Sequence, residues 1–145
     1  VAHARYQIRA AVVSALTGLP TTGNNVFPAH KWPLFNTSVP ALIVFTTTED
    51  VQRVTHQPIE HLRSLQVEVI AKVKSATAED DLDTICAEVE AALAADVTLG
   101  GKALDCRPLG TEIDLSIESE MKTGSATMRF EVQYSVREAD PEVLL

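Results

Sequence analysis

Cysteine, glycine and aromatic residues are all scarce in this 145-residue sequence, and it carries neither a basic run nor a long apolar one. Its two cysteines, Cys86 and Cys106, have neither the close spacing of zinc ligands nor that of a redox pair, so each is expected as a small core or edge residue. So few cysteines fit a reducing cytoplasm and exclude a disulfide scaffold. The six glycines match neither nucleotide-binding fingerprint, because they do not cluster ahead of a helix. A Gly-x-Ser-x-Gly elbow, which would expose a serine nucleophile at a strand-to-helix turn, is also absent. No stretch approaches the roughly 18 consecutive apolar residues of a membrane-spanning helix. The first residues lack a charged-then-apolar leader, so a soluble chain that is not exported is expected. Since the chain starts at Val1, an initiator methionine is expected to have been removed or to lie outside this numbering.

What is present is a balanced composition, 46% apolar and 22% charged, which is too apolar for general disorder and sufficient for one core. The length fits one domain, 1–145. Twenty Asp and Glu against twelve Lys and Arg give a formal charge of −8. With no basic run to follow a phosphate backbone, tight nucleic-acid binding is not expected; an acidic surface suits a passage for DNA better than a grip.

Along the chain, Ile8, Ala11, Val12, Ala15 and Leu19 recur at helical spacing and predict an amphipathic helix, stopped by Gly18 and Pro20. Residues 21–40 hold too many prolines, glycines and asparagines for a long element, leaving a loop with a short strand near Val26 and Phe27. Residues 41–45 form an apolar run that predicts a buried strand emerging through Thr46, Thr47 and Thr48. Residues 49–57 are polar and alternating, as in a projecting arm ended by Pro58. Alternation over 65–73 predicts a half-buried strand. Leu82, Ile85, Val89 and Leu93 form the stripe of a helix over 78–95, with Thr77 as expected N-cap and Glu79, Asp80 and Asp81 favoured by the helix dipole.

Residues 111–118 and 126–136 alternate as two more strands, joined as a hairpin through 119–124. Residues from Glu138 onward read as a polar tail. Together these elements predict an α+β fold: a largely antiparallel or mixed β-sheet with two main helices packed on it and a projecting β-arm over about residues 46–60.

Candidate chemistry is thin. His56, Glu60 and His61 carry ligand atoms suited to a divalent metal, but their spacing on an arm is a weak signal and two solvated histidines account for it as well. The acids that open the second helix point in different directions and so do not converge on one ion. Trp32 and Phe35, between prolines, read either as a flap sealing the core or as a partner contact. Glu49, Asp50 and Arg53, at the root of the arm, read either as ordinary surface or as salt links between subunits.

The segments "YQIRAAVVSALTGL", "VPALIVFTTTEDVQRVT", "DDLDTICAEVEAALAAD", "GTEIDLSIE" and "GSATMRFEVQYSV" span nearly the whole chain, and in this combination the sequence resembles the tail terminator proteins of long-tailed bacteriophages, related to the lambda-type minor tail protein U. The resemblance implies a structural virion protein assembled in the host cytoplasm: a ring, usually hexameric, that caps the tail tube, stops its growth and offers a surface to head-completion or connector proteins. It implies no catalytic residue, metal or cofactor, no membrane, and DNA that passes through a lumen without specific binding. A ring with two unlike faces would match a tube on one side only. Candidate contacts with neighbouring subunits or the tube are then Trp32 and Phe35 in the loop, and Glu49, Asp50, Val51, Arg53 and Val54 in the arm. A head-tail connector or tube subunit of the same particle is the nearest alternative, and a small metal-dependent or ligand-binding domain a more distant one.

Overall fold

The computed structural model describes residues 3–28, 40–116 and 122–145. Helix α1, Ala4–Leu16, buries Ala4, Ile8, Val12 and Leu16, a strict fourfold spacing that places one residue per turn on a single stripe. His3 caps it by accepting the Arg5 amide on Nδ1 at 3.0 Å, which satisfies one of the orphan donors of the first turn. Beyond Thr17, Gly18 takes a positive φ of 91° and turns the chain away. The observed stripe is shifted from the expected one: Ala11, Ala15 and Leu19 are only partly buried at its flank.

Five strands form the main path of one sheet in the order β1-β2-β3-β5-β4, and β6 also pairs with β5. Strand β1, Val26–Pro28, lies parallel to the start of β2, Ala41–His56. Strand β2 turns at Gln57 and Pro58 into β3, Ile59–Ser75, and β3 pairs antiparallel with β5, Lys122–Arg137, along its whole length. Strand β4, Asp105–Ser116, pairs with the first part of β5. Strand β6, Asp140–Leu144, pairs with its last residues.

Helix α2, Ala78–Ala95, lies on the same sheet face as α1 and buries Leu82, Ile85, Val89 and Leu93 against β3, β5 and β4. Each such side chain contributes about 1.5–3 kcal/mol on burial. Between helices and sheet the core is filled by the odd residues of β3 from Leu65 to Val73 and the even residues of β5 from Ala126 to Val136. Gly124 lies where this layer is tightest: a Cβ there would sit 2.7 Å from Leu115 Cδ2 and 2.9 Å from Leu82 Cδ1. Among the described residues no helix covers the opposite sheet face. That face is largely polar, with Arg107 and Gln133 both donating to Glu131, but it also carries Ile43 opposite Ile70, Phe45 opposite Glu68 and Leu62 opposite Ser135.

The α+β class, the two helices and the bounds of α2 agree with the sequence reading. Several details differ. Thr77 precedes α2 but does not cap it with its side chain; its hydroxyl instead donates to Asp81 Oδ1 at 3.2 Å, beside Ser75 Oγ on Asp81 Oδ2 at 2.5 Å. Strand β3 begins six residues before the expected 65, so the arm is not a free ribbon: its β3 limb stays backed by β5 as far as the Glu60–Arg137 pair. Strand β4 likewise starts at Asp105, running through Pro108 and Gly110 by means of a bulge between them. Residues 122–124 belong to β5 rather than to a hairpin loop. The expected polar tail is corrected as well, since residues 140–144 form β6, held to α1 by Gln7 Nε2 donating to the Glu142 carbonyl at 2.6 Å.

Candidate assembly surface

Two long edges bound the sheet. Beyond Val44, where β1 stops, β2 has no second strand partner among the described residues, and every residue from Asp50 to His56 is exposed. On the far side of β5, β6 and β4 follow one another along a single line: Leu145 donates its amide to the Ser135 carbonyl at 2.9 Å, and Leu104 donates to the Gln133 carbonyl at 2.7 Å. The C-terminal strand and β4 therefore make one composite edge running the length of the sheet.

Seven of the nine exposed large apolar side chains among the described residues sit on these two edges, each 47–54% exposed. Val51 and Val54 stand on β2; Leu104, Leu109 and Ile113 stand on or just before β4, and Val143 and Leu145 on or just after β6. Scattered apolar residues are ordinary on a surface, but apolar side chains gathered on unpaired strand edges are what native chains usually avoid. The alternation of β4 had implied half-buried residues; Ile113 shares the face of the buried Ala126 yet remains half exposed.

Toward the arm, beyond Leu65 on the core face, a polar network replaces the apolar core. Glu49, opposite Leu65 on the core face, has a side chain only 6% exposed. Its carboxylate accepts from Arg63 Nη1 at 2.9 Å and from the Tyr134 hydroxyl, with Arg5 Nη1 3.9 Å away. Burial, and then the bond to Glu49, lift the Tyr134 phenol far above its usual range, so it serves as a neutral donor. Arg63 Nη2 lies 3.2 Å from His61 Nδ1, and His61 Nε2 lies 3.3 Å from Glu138 Oε1. Because a guanidinium only donates, His61 Nδ1 must accept, which assigns its proton to Nε2 and directs it at Glu138.

Glu138, in the turn between β5 and β6, also accepts from Arg53 Nε at 3.1 Å, and this partner above all holds its carboxyl below the usual range. At the other end Arg63 Nη1 approaches His3 Nε2 at 3.5 Å. Burial, and then Arg5, lower the His3 pKa and keep it in the neutral form that caps α1. The network thus joins α1, β2, β3, β5 and the β5–β6 turn. Its carboxylates and His61 are occupied by internal donors, so it braces strands and leaves no free base at an open cleft. Within this network Arg63 Nε is buried without a partner.

The sequence-selected residues are placed as follows. Glu49 and Arg53 are taken up within the chain, by Arg63 and Tyr134 and by Glu138 respectively. Asp50, Val51 and Val54 stand on the β2 edge. Trp32 and Phe35 lie outside the described residues. His56 and Glu60 are not joined to His61, whose ring faces Arg63 and Glu138. Among the described residues no group of three or more His, Cys, Asp or Glu is arranged to hold a metal, and no helix is long and apolar enough to cross a membrane. Arg63, Tyr134, Glu138 and the composite edge escaped sequence reading. Only the core-face parity of Arg63 and His61 with Leu65 gave a signal for them.

No family model and no curated protein matches the chain. Among solved structures, a chain from the virion of a native gene transfer agent (GTA) particle aligns at 19% identity, covering 90% of this chain and 92% of that one, with a TM-score of 0.36.

Proposed function

We propose that this chain is a non-catalytic structural subunit of a tailed-phage-type particle, a tail terminator whose copies close into a ring, cap the tail tube and present a surface to head-completion proteins. The observation that carries the reading is the concentration of exposed apolar side chains on two opposite sheet edges. Such edges suit a head-to-tail interface, in which one patch meets a different patch of the next copy, and head-to-tail contacts close into rings when the rotation permits. The sequence resemblance, which runs from Tyr6 to Val136, supplies the tail terminator part of the reading. The formal charge of −8 suits a lumen that DNA crosses without adhering.

The polar network fits the same role. A subunit that must present two edges in fixed relation gains from a brace between them, and Arg53 on β2 is bonded to Glu138 beside β6. The same edges would also serve a tube subunit, and purified protein separates the two: discrete rings support a terminator, whereas open-ended tubes reassign the chain as a tube protein. Deleting the gene is expected to give tails of irregular, excessive length that fail to join heads. Normal tails with attached heads in that mutant would remove the assignment.

A further inference from the structure

The two exposed edges differ in direction as well as in place. In the rows nearest the arm, four strands succeed one another, β2, β3, β5 and the composite of β6 and β4, each antiparallel to the last. An even number of alternating strands means that the first and last run in opposite directions. When an identical copy is set beside the first in the same orientation, its β2 therefore meets the composite edge antiparallel, the pairing with the better hydrogen-bond geometry. With an odd number the contact would be parallel.

The two edges also face each other across the same rows. Asp50, Ser64, Gln133 and Asp105 form one row, and Phe45, Glu68, Arg129 and Gly110 another. The open stretch of β2 thus spans the same height as β6 and the first residues of β4. Pro108 withdraws one amide from the composite edge, which confines hydrogen bonding mainly to the stretch on its β6 side.

We infer that the open edge of β2 in one copy, carrying Val51 and Val54, pairs antiparallel with the β6–β4 edge of the next, at Val143, Leu145 and Leu104, so that one sheet continues from subunit to subunit. The inference rests on the proposed self-assembly and not on the capping role. The occupant is a second copy because both halves of the contact are on this chain, lie on opposite sides of the sheet and can be used at once. A foreign strand would need only one of them.

A complementation experiment tests it. One variant carries Val51→Lys and Val54→Lys, disabling the β2 edge; a second carries Val143→Lys and Leu104→Lys, disabling the composite edge. All four side chains are about half exposed, so both variants are expected to melt within a few degrees of the parent, and a third variant, Tyr6→Lys on helix α1, controls for added charge outside the two edge strands. By light scattering at a concentration where the parent and the control form rings, each edge variant alone is expected to be monomeric. An equimolar mixture is expected to give dimers and nothing larger, since only one live edge of each kind remains. Rings from either edge variant alone, a dimer from the β2-live variant alone, or a mixture that stays monomeric would overturn the inference. Edge variants that still form rings but no longer bind tail tubes would also overturn it, by giving the edge to a tube strand. Parent rings that ignore tubes would leave the inference standing and remove the capping role.

Discussion

Removing the Glu49 carboxylate is the sharpest perturbation of the fold. In Glu49→Ala, Arg63 keeps its charge in a site where its side chain is 11% exposed, and its remaining neighbours, His61 and His3, supply no negative charge. The Tyr134 hydroxyl, fully buried, loses its acceptor at the same time. Breaking a buried ion pair from one side costs about 3–5 kcal/mol, because the stranded charge is no longer compensated. For a chain of 145 residues, at about 3–4 °C per kcal/mol, the midpoint should fall by about 10–20 °C. Differential scanning calorimetry at pH 7 reads this directly. The triple variant Glu49→Leu, Arg63→Met, Tyr134→Phe, which removes the carboxylate together with its two hydrogen-bond donors, should recover most of the loss, since a well-packed apolar replacement is often neutral. A fall of under about 1 kcal/mol for the single variant, or a triple variant no better than it, would refute a buried, mutually dependent network.

Gly124→Ala should destabilise the chain by about 1–3 kcal/mol in urea denaturation, as the new methyl meets Leu82 and Leu115 in a closed layer; an unchanged midpoint would contradict that packing. Arg53 holds the Glu138 carboxyl below its ordinary value of 4.5, so its contribution to stability is complete above pH 4.5 and is lost as pH falls below it; Glu138→Gln should flatten the acid limb of a stability–pH curve. For His3, lowered from 6.5, the unfolded chain takes up the proton first, so its contribution is present above pH 6.5 and declines in acid. His3→Asn keeps a capping acceptor without titration, and should remove that decline in the same assay. Burial pushes the Cys106 thiol up to about 11, leaving roughly one thiolate in a thousand at pH 8. Cys106 should therefore resist thiol reagents until the chain is unfolded, and rapid labelling of the native protein would contradict its placement.

Much of the fold was legible in the sequence, and the failures share a cause. Helix α2 was delimited correctly because its apolar stripe and its acidic first turn are local signals. The start of β3 was hidden because His61 and Arg63 occupy core-facing positions, so the alternation breaks where the core turns polar. Pro108 and Gly110 concealed the first half of β4, although a bulge admits both. Strand β6 reads as a tail because Asp140, Pro141 and Glu142 are poor strand formers, and only β5 and Gln7 hold it in place. Glu49 was singled out as a charged arm residue, but its partners Arg63 and Tyr134 lie 14 and 85 residues away, beyond any local pattern. The β2 edge was half visible through Val51 and Val54. The composite edge was not, since it joins two distant segments that only β5 aligns.

The most direct test of the proposed function is to follow tail-tube polymerisation by electron microscopy with and without this protein. Tubes that stop growing, each bearing one ring at one end and none at the other, are expected. Tubes that elongate at the same rate with bare ends, beside protein that remains monomeric, would contradict the account.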